Sequence, residues 1–339
     1  MGKSLKWLIV LILAGGMLAG CKRMNVPGGE INFRASSAPL STKTAYSGER
    51  NTESGVVKER IDWLEGDEIT IWSDKARMMY DETRQAGDYV FTSVEADGVR
   101  SRGKIVSSIG NGLQWTSATG TYTFYCRYPS DDTKINGEKM LGEIPASQVL
   151  QYDAETGAMK PDMQYAYLFA GTTAPANAAS VTLEFRPVFT ALEFEVGGGG
   201  EGQVDLTSFT ITSTTDAVTG AFELSCASGN ATVTGTPGLS ASLDFSQIPG
   251  GKLTVTGAAP VTVTIFAVPK DLKNLTLEVK GDQILTRTLK LANKNGTFLT
   301  FDACKKYRIL GLSLPELLKA EGEDIDWDIQ AIGEALIWD

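Results

Sequence analysis

The 339-residue chain contains no histidine. That excludes histidine-based triads, His-Glu-x-x-His zinc sites and Cys/His zinc clusters, and it removes the commonest general base. Cysteine is scarce: Cys21, Cys126, Cys226 and Cys304 are far apart, with no Cys-x-x-Cys, so no metal or redox motif is present. The last three read as small buried residues in strands, with a Cys226–Cys304 bridge as the alternative reading. Basic residues are the minority, 31 against 41 acidic, for a net charge of −10. Nucleic acid binding needs a basic footprint, so it is not an expected partner. Neither a catalytic residue, a cofactor nor a metal site is expected.

What the chain does have is strand. "SVTLEF" (180–185), "ALEFEV" (191–196), "SFTITS" (208–213), "KLTVTG" (252–257), "VTVTIFAV" (261–268) and "NLTLEVKG" (274–281) largely alternate apolar and polar residues and are rich in threonine, valine and phenylalanine. Turn residues separate them, at Gly197–Gly200, Thr236–Gly238 and Ile248–Gly251. Strands so spaced, without intervening helical periods, indicate β-sandwiches. The clearest helix candidate is short, Pro315 to Glu321 after Ser313. Gly197, Gly199 and Gly202 spell Gly-x-Gly-x-x-Gly, but a dinucleotide site needs a helix to open there, and the strand-like "QVDLTSFTITST" comes next. These glycines read as a turn. The acidic groups at Asp131–Asp132 and at Glu321, Glu323, Asp324, Asp326 and Asp328 lack the EF-hand register and read as solvated charge.

The one long apolar run near the N-terminus comes after Lys3 and Lys6 and ends in "LAGGMLAGC". Leu5 to Gly20 is shorter than the roughly 20 residues a spanning helix needs, and the order of basic, apolar and small residues is that of a secretory signal. Leu18-Ala19-Gly20-Cys21 resembles the bacterial lipoprotein signal, with residues 1–20 removed and Cys21 lipidated. Two or more acyl chains, at about 0.8 kcal/mol per buried methylene, give stable anchoring. Loss of Lys3 and Lys6 takes the net charge from −10 to −12. A mature chain starting at Cys21 is too long for one ordinary core and suits two domains.

Four segments stand in a telling order: "WLEGDEITIW" (63–72), "TYTFYCRYPSDD" (121–132), "EIPASQVLQYDAETGAMKPDMQYAYLFAG" (143–171) and "VTLEFRPVFTALEFEV" (181–196). With "IFAVPKDLKNLTLEV" (265–279) and "FLTFDACKKYRILGLSL" (298–314) they resemble the fimbrillin family of Gram-negative gut and oral bacteria, the subunits of type V pili. Two departures stand out. Where the family has Gly-Lys-x-Tyr the chain reads Cys304-Lys305-Lys306-Tyr307, and Arg186-Pro187 stands where a histidine is frequent.

The resemblance implies an all-β chain of two tandem transthyretin-like β-sandwich domains, 61–187 and 188–339, after a lipidated N-terminal segment, 21–60. It implies a pilus subunit or accessory component that travels as an outer-membrane lipoprotein and serves adhesion to a host or bacterial surface ligand. A trypsin-like protease removes the first strand, and a strand of the next subunit fills the groove. Here the removable strand is "EINFRAS" (30–36), with Ile31 and Phe33 on one face. The basic cleavage candidates are Lys43, Arg50, Lys58 and Arg60, with Arg50 preferred because "YSGERNTESG" around it is polar and reads as exposed. The donor-strand candidates are Trp327, Ile329, Ile332, Leu336 and Ile337 in the C-terminal tail; the alternative is that the tail closes its own domain. Two other functions compete: a surface lipoprotein that binds glycan through Trp72, Trp115 or Tyr152 without polymerising, and a hydrolase with paired carboxylates.

Overall fold

Alternation decides which face of each strand is buried. In Val181–Pro187 the residues Val181, Leu183, Phe185 and Pro187 point inward and Thr182, Glu184 and Arg186 point out. The computed structural model describes residues 28–37, 46–53, 56–61, 63–94, 102–110, 112–282, 284–293, 295–319, 325 and 327–332. Its first half runs β1 (Phe33–Ser37), β2 (Tyr46–Glu53), β3 (Val56–Ile61), β4 (Glu68–Ser73), β5 (Arg77–Met78), β6 (Ala86–Val94), β7 (Arg102–Ser107), β8 (Leu113–Gln114), β9 (Thr121–Tyr128), β10 (Lys139–Ile144), β11 (Ser147–Tyr152), β12 (Met159–Pro161), β13 (Leu168–Pro175) and β14 (Val181–Pro187). Its second half runs β15 (Thr190–Gly197), β16 (Gln203–Ser213), β17 (Gly220–Ser225), β18 (Ala231–Val233), β19 (Ser240–Asp244), β20 (Leu253–Thr256), β21 (Pro260–Ala267), β22 (Leu275–Gly281), β23 (Ile284–Lys290), β24 (Lys306–Leu312), the helix α1 (Leu314–Leu318) and β25 (Asp328–Ile332). The chain is all-β, as its alternation indicates.

Two hydrophobic cores form. The first fills a closed barrel of order β1-β14-β13-β9-β4-β6-β7. Trp63 lies at its centre with no exposure, stacked on Phe91 with ring centroids 4.3 Å apart and edge-on to Tyr128 and Phe185. The second core lies between the sheet β12-β11-β19-β16-β22-β23 and the sheet β2-β3-β25-β24-β15-β21, where Leu192, Phe194, Phe209, Ile211, Ile265, Leu277 and Ile309 pack together.

The two halves exchange strands. β10 pairs with β17, and β11 runs parallel to β19, so residues 139–152 reach from the first half into the second. Gln148, 2% exposed, fastens this crossing. Its Oε1 accepts from the Phe266 backbone N–H at 2.8 Å and its Nε2 donates to the Phe266 carbonyl at 2.6 Å, so one side chain completes the strand pairing of a buried residue.

The glycine run behaves as a turn. Gly197, Gly198, Gly199 and Gly202 all have positive φ, between 74° and 96°, and β16 comes next without a helix. The expected helix is present as α1, capped by Ser313 with Pro315 in its first turn, and it ends at Leu318, short of Glu321.

Candidate functional site

The candidate site is built around β1, the strand that completes the barrel. Gly28 leads in with φ 153°, where a Cβ would stand 2.4 Å from that of Trp115. The Ile31 N–H then donates to the Leu113 carbonyl at 2.9 Å, the Gly112 N–H donates to Glu30 Oε1 at 3.0 Å, and the Val181 N–H donates to the Asn32 carbonyl at 2.9 Å. From Phe33 onward β1 pairs on both sides. It runs parallel to β14, from Phe33 opposite Val181 to Ser37 opposite Phe185, and antiparallel to β7, with Arg34 opposite Lys104 and Ser36 opposite Arg102.

Ile31, Phe33 and Ala35, each 2% exposed, point into the barrel, while Asn32 and Arg34 face water. The Phe33 ring sits edge-on to Tyr89 and Phe124, both at 5.3 Å. β1 is therefore the stave that closes the barrel, held by ladder hydrogen bonds and by side chains each contributing about 1.5–3 kcal/mol for the large ones. Without it, β7 and β14 face each other across an apolar slot with unpaired backbone on both rims.

The cleavage and donor-strand candidates are spread over other elements. Cys21 and Lys43 fall outside the described residues. Arg50 stands within β2 opposite Glu59, and Lys58 and Arg60 stand in β3. The polar stretch around Arg50, expected to be exposed, is one arm of a β-hairpin; its residues do not alternate in polarity, so no strand signal was legible. Trp327 and Ile329 pack partly buried against the second core, where the Trp327 Nε1–H donates to the Lys290 carbonyl at 2.9 Å. Ile329 stands opposite Ile309, and Ile332 opposite Lys306, in β25. Leu336 and Ile337 fall outside the described residues.

The aromatic residues considered for stacking on sugars divide. Trp115 is 3% exposed and edge-on to Tyr122, which removes it from any surface. Trp72 is half-buried, stacked on Tyr125 with centroids 5.7 Å apart and closed over by Gly137. Tyr152 is half-buried against the second core.

Cys126, Cys226 and Cys304 are free thiols, so Cys226 and Cys304 are not bridged. Burial pushes the Cys226 thiol up to about 12 and the Cys304 thiol up to about 11, the latter held back by the Arg186 guanidinium. Cys304 has φ 59°, left-handed backbone that favours glycine, at the position where the resembled motif carries one. Among the described residues, no group of three acidic or cysteine side chains is placed to hold a metal ion. Sequence reasoning missed the buried ion pair between Lys306 and Glu193, 2.6 Å apart on neighbouring strands β24 and β15. Their positions, inside apolar-rich strands, were the only signal.

No curated protein matches the sequence. Solved structures that share the fold include two cell adhesion candidates. A candidate cell adhesion protein from Bacteroides ovatus superposes with TM-score 0.52 at 14% identity, covering 92% of this chain and 99% of its own. One from Bacteroides uniformis gives 0.51 at 13%, covering 90% and 98%. The fimbrillin-like family profile matches residues 52–315, far more than half of the sequence, and the chain belongs to the fimbrillin-like family.

Proposed function

We propose that the chain is a structural subunit or accessory component of a cell-surface pilus that serves adhesion. In this reading it is exported with a 1–20 leader, tethered to the outer membrane through lipid on Cys21, and assembled by strand exchange after proteolysis between β1 and Trp63. In this reading 61–187 and 188–339 are two transthyretin-like domains that share strands, since β11 and β12 of the first join the sheet over the second core. The observation that carries the reading is β1: a short strand, paired on both sides and buried on one face, followed by a segment that holds the cleavage candidates Lys43, Arg50, Lys58 and Arg60. Such a strand can be replaced by one of the same alternation from a second copy. The tail supplies that strand, with Trp327 and Ile329 on one face at period 2 and with Ile332, Leu336 and Ile337 beyond them. Family membership and the adhesion-related names of the two similar structures support the same class of function.

The test is conversion of purified precursor by an arginine-specific protease. Ladders that resist detergent without boiling are the expected product. A cleaved chain that stays monomeric and binds a glycan array would replace this reading with that of a non-polymerising surface lipoprotein.

A further inference from the structure

The hairpin β13–β14 is part of the barrel wall, and its two strands part toward its tip. Across it Leu168 stands opposite Pro187 and Phe169 opposite Arg186, and there the ladder ends. Beyond that pair each strand follows its other neighbour. β13 stays on β9 as far as Pro175 opposite Thr121, while Val181–Phe185 of β14 run beside β1. A cavity of about 370 Å³ opens between the parted strands, at the small end of the roughly 300–1,000 Å³ of small-molecule sites.

Its lining is polar and uncommitted. Thr172, Thr173, Ser180, Thr182 and Glu184 line it, and among the described residues none of these side chains makes a hydrogen bond or an ion pair. Hydroxyls elsewhere in the first half are engaged: Thr70 Oγ1 donates to Asp88 Oδ1 at 2.7 Å, and Thr116 Oγ1 donates to the Lys75 carbonyl at 3.0 Å. The turn at the hairpin tip is held in place, because the Ala176 N–H donates to the Gly120 carbonyl at 2.8 Å and Asn177 Nδ2 donates to the Ala118 carbonyl at 3.3 Å. A ligand therefore does not have to order this turn in order to bind. At the lip, Gly171 has no side chain to cover the rings beside it. Carbons of Tyr125 and Phe169 lie 3.4 and 3.5 Å from where its Cβ would stand.

We propose that this parted seam binds one ring of a neutral saccharide. The proposal rests on the adhesion reading and names the chemical class of the ligand. Threonine and serine hydroxyls both donate and accept, and a carboxylate accepts, so together they match a ring of hydroxyl groups that needs both kinds of partner. The ring carbons beside Gly171 offer an apolar surface to the C–H face of such a ring. Glu184 is the one charged side chain in the lining, and its negative sign disfavours phosphate, sulfate and uronate. Arg34 stands opposite Thr182 on β1 but does not line the cavity.

The test uses the uncut Cys21→Ser chain. It is titrated with the methyl glycosides of glucose, galactose, mannose and N-acetylglucosamine, and with glucuronate, and followed by saturation-transfer NMR and calorimetry. At least one neutral glycoside is expected to bind in the millimolar range or tighter, and glucuronate to bind at least tenfold more weakly. Thr173→Val combined with Thr182→Val keeps the shape, removes two hydroxyls, and is expected to weaken that binding tenfold or more. Gly171→Val, which covers the ring carbons, is expected to do the same. Glu184→Gln, an exposed change that spares the fold, should weaken it at least threefold, and Thr232→Val on β18 less than twofold. No binding by any neutral glycoside, tighter binding of glucuronate, or binding that these variants leave intact overturns the proposal. A chain that binds sugar through these residues but forms no ladders after cleavage keeps the site and loses the pilus reading. Ladders without sugar binding do the reverse.

Discussion

Phe33 is the largest buried side chain that β1 sends into the barrel. At 2% exposure, it sits edge-on to Tyr89 of β6 and Phe124 of β9. Phe33→Ala loses the transfer energy of the ring and leaves a cavity, together about 3–5 kcal/mol for a buried phenylalanine. For a unit of 150–250 residues each kcal/mol moves the melting temperature by about 2–4 °C. The barrel transition is therefore expected to fall by about 6–20 °C in differential scanning calorimetry of the Cys21→Ser chain. Arg34→Ala is the control, since Arg34 is the next residue on the same strand but faces water, and its effect should stay within about 0.5 kcal/mol. The upper limit is physical: the loss cannot exceed the docking energy of β1, because a strand weakened further leaves the slot before the barrel melts. A Phe33→Ala shift no larger than that of Arg34→Ala would refute the claim that β1 is a core-filling stave.

Three further outcomes are expected at particular residues. Cys304→Gly should raise stability by about 0.5–1 kcal/mol in urea titration, because glycine adopts the φ of 59° without strain. Gln148→Leu should cost about 2–4 kcal/mol by leaving the Phe266 N–H and carbonyl buried and unpaired, whereas a surface change such as Gln164→Leu should not. Native Cys226 and Cys304 should resist iodoacetamide at pH 8, since burial raises both thiols and only the thiolate reacts. Their rates should climb about tenfold per pH unit until about 12 and about 11, while urea-unfolded chain should react fully at pH 8–9.

Much of the architecture was legible because half-buried strands write their period into the sequence. "VTLEFRP" buries alternate residues throughout and "TYTFYCRY" does so from Tyr122 to Cys126, and the glycine run at 197–202 was separable from a dinucleotide loop because a strand, not a helix, succeeds it. The face of β1 was legible for the same reason, through Ile31 and Phe33. Three features were not. The β2–β3 hairpin has no apolar alternation around Arg50, so its strand character comes from its partner and from no local pattern. The β10–β11 crossing rests on pairings between residues about 80–100 positions apart, which no local pattern carries. The burial of Trp115 arises from packing against Tyr122 and Phe124 and not from anything adjacent in sequence. The cysteine at 304 was visible as a departure from a glycine motif, but its strain required the backbone.

The most direct test of strand exchange is an electron cryomicroscopy map of native filaments containing this chain, read together with the mass of the filament-derived subunit. The expected result is a subunit beginning after Arg50 or Arg60, with the slot between β7 and β14 occupied by a strand continuous with the tail of the neighbouring copy. A subunit that still carries Glu30–Ser36 in that slot would contradict the account.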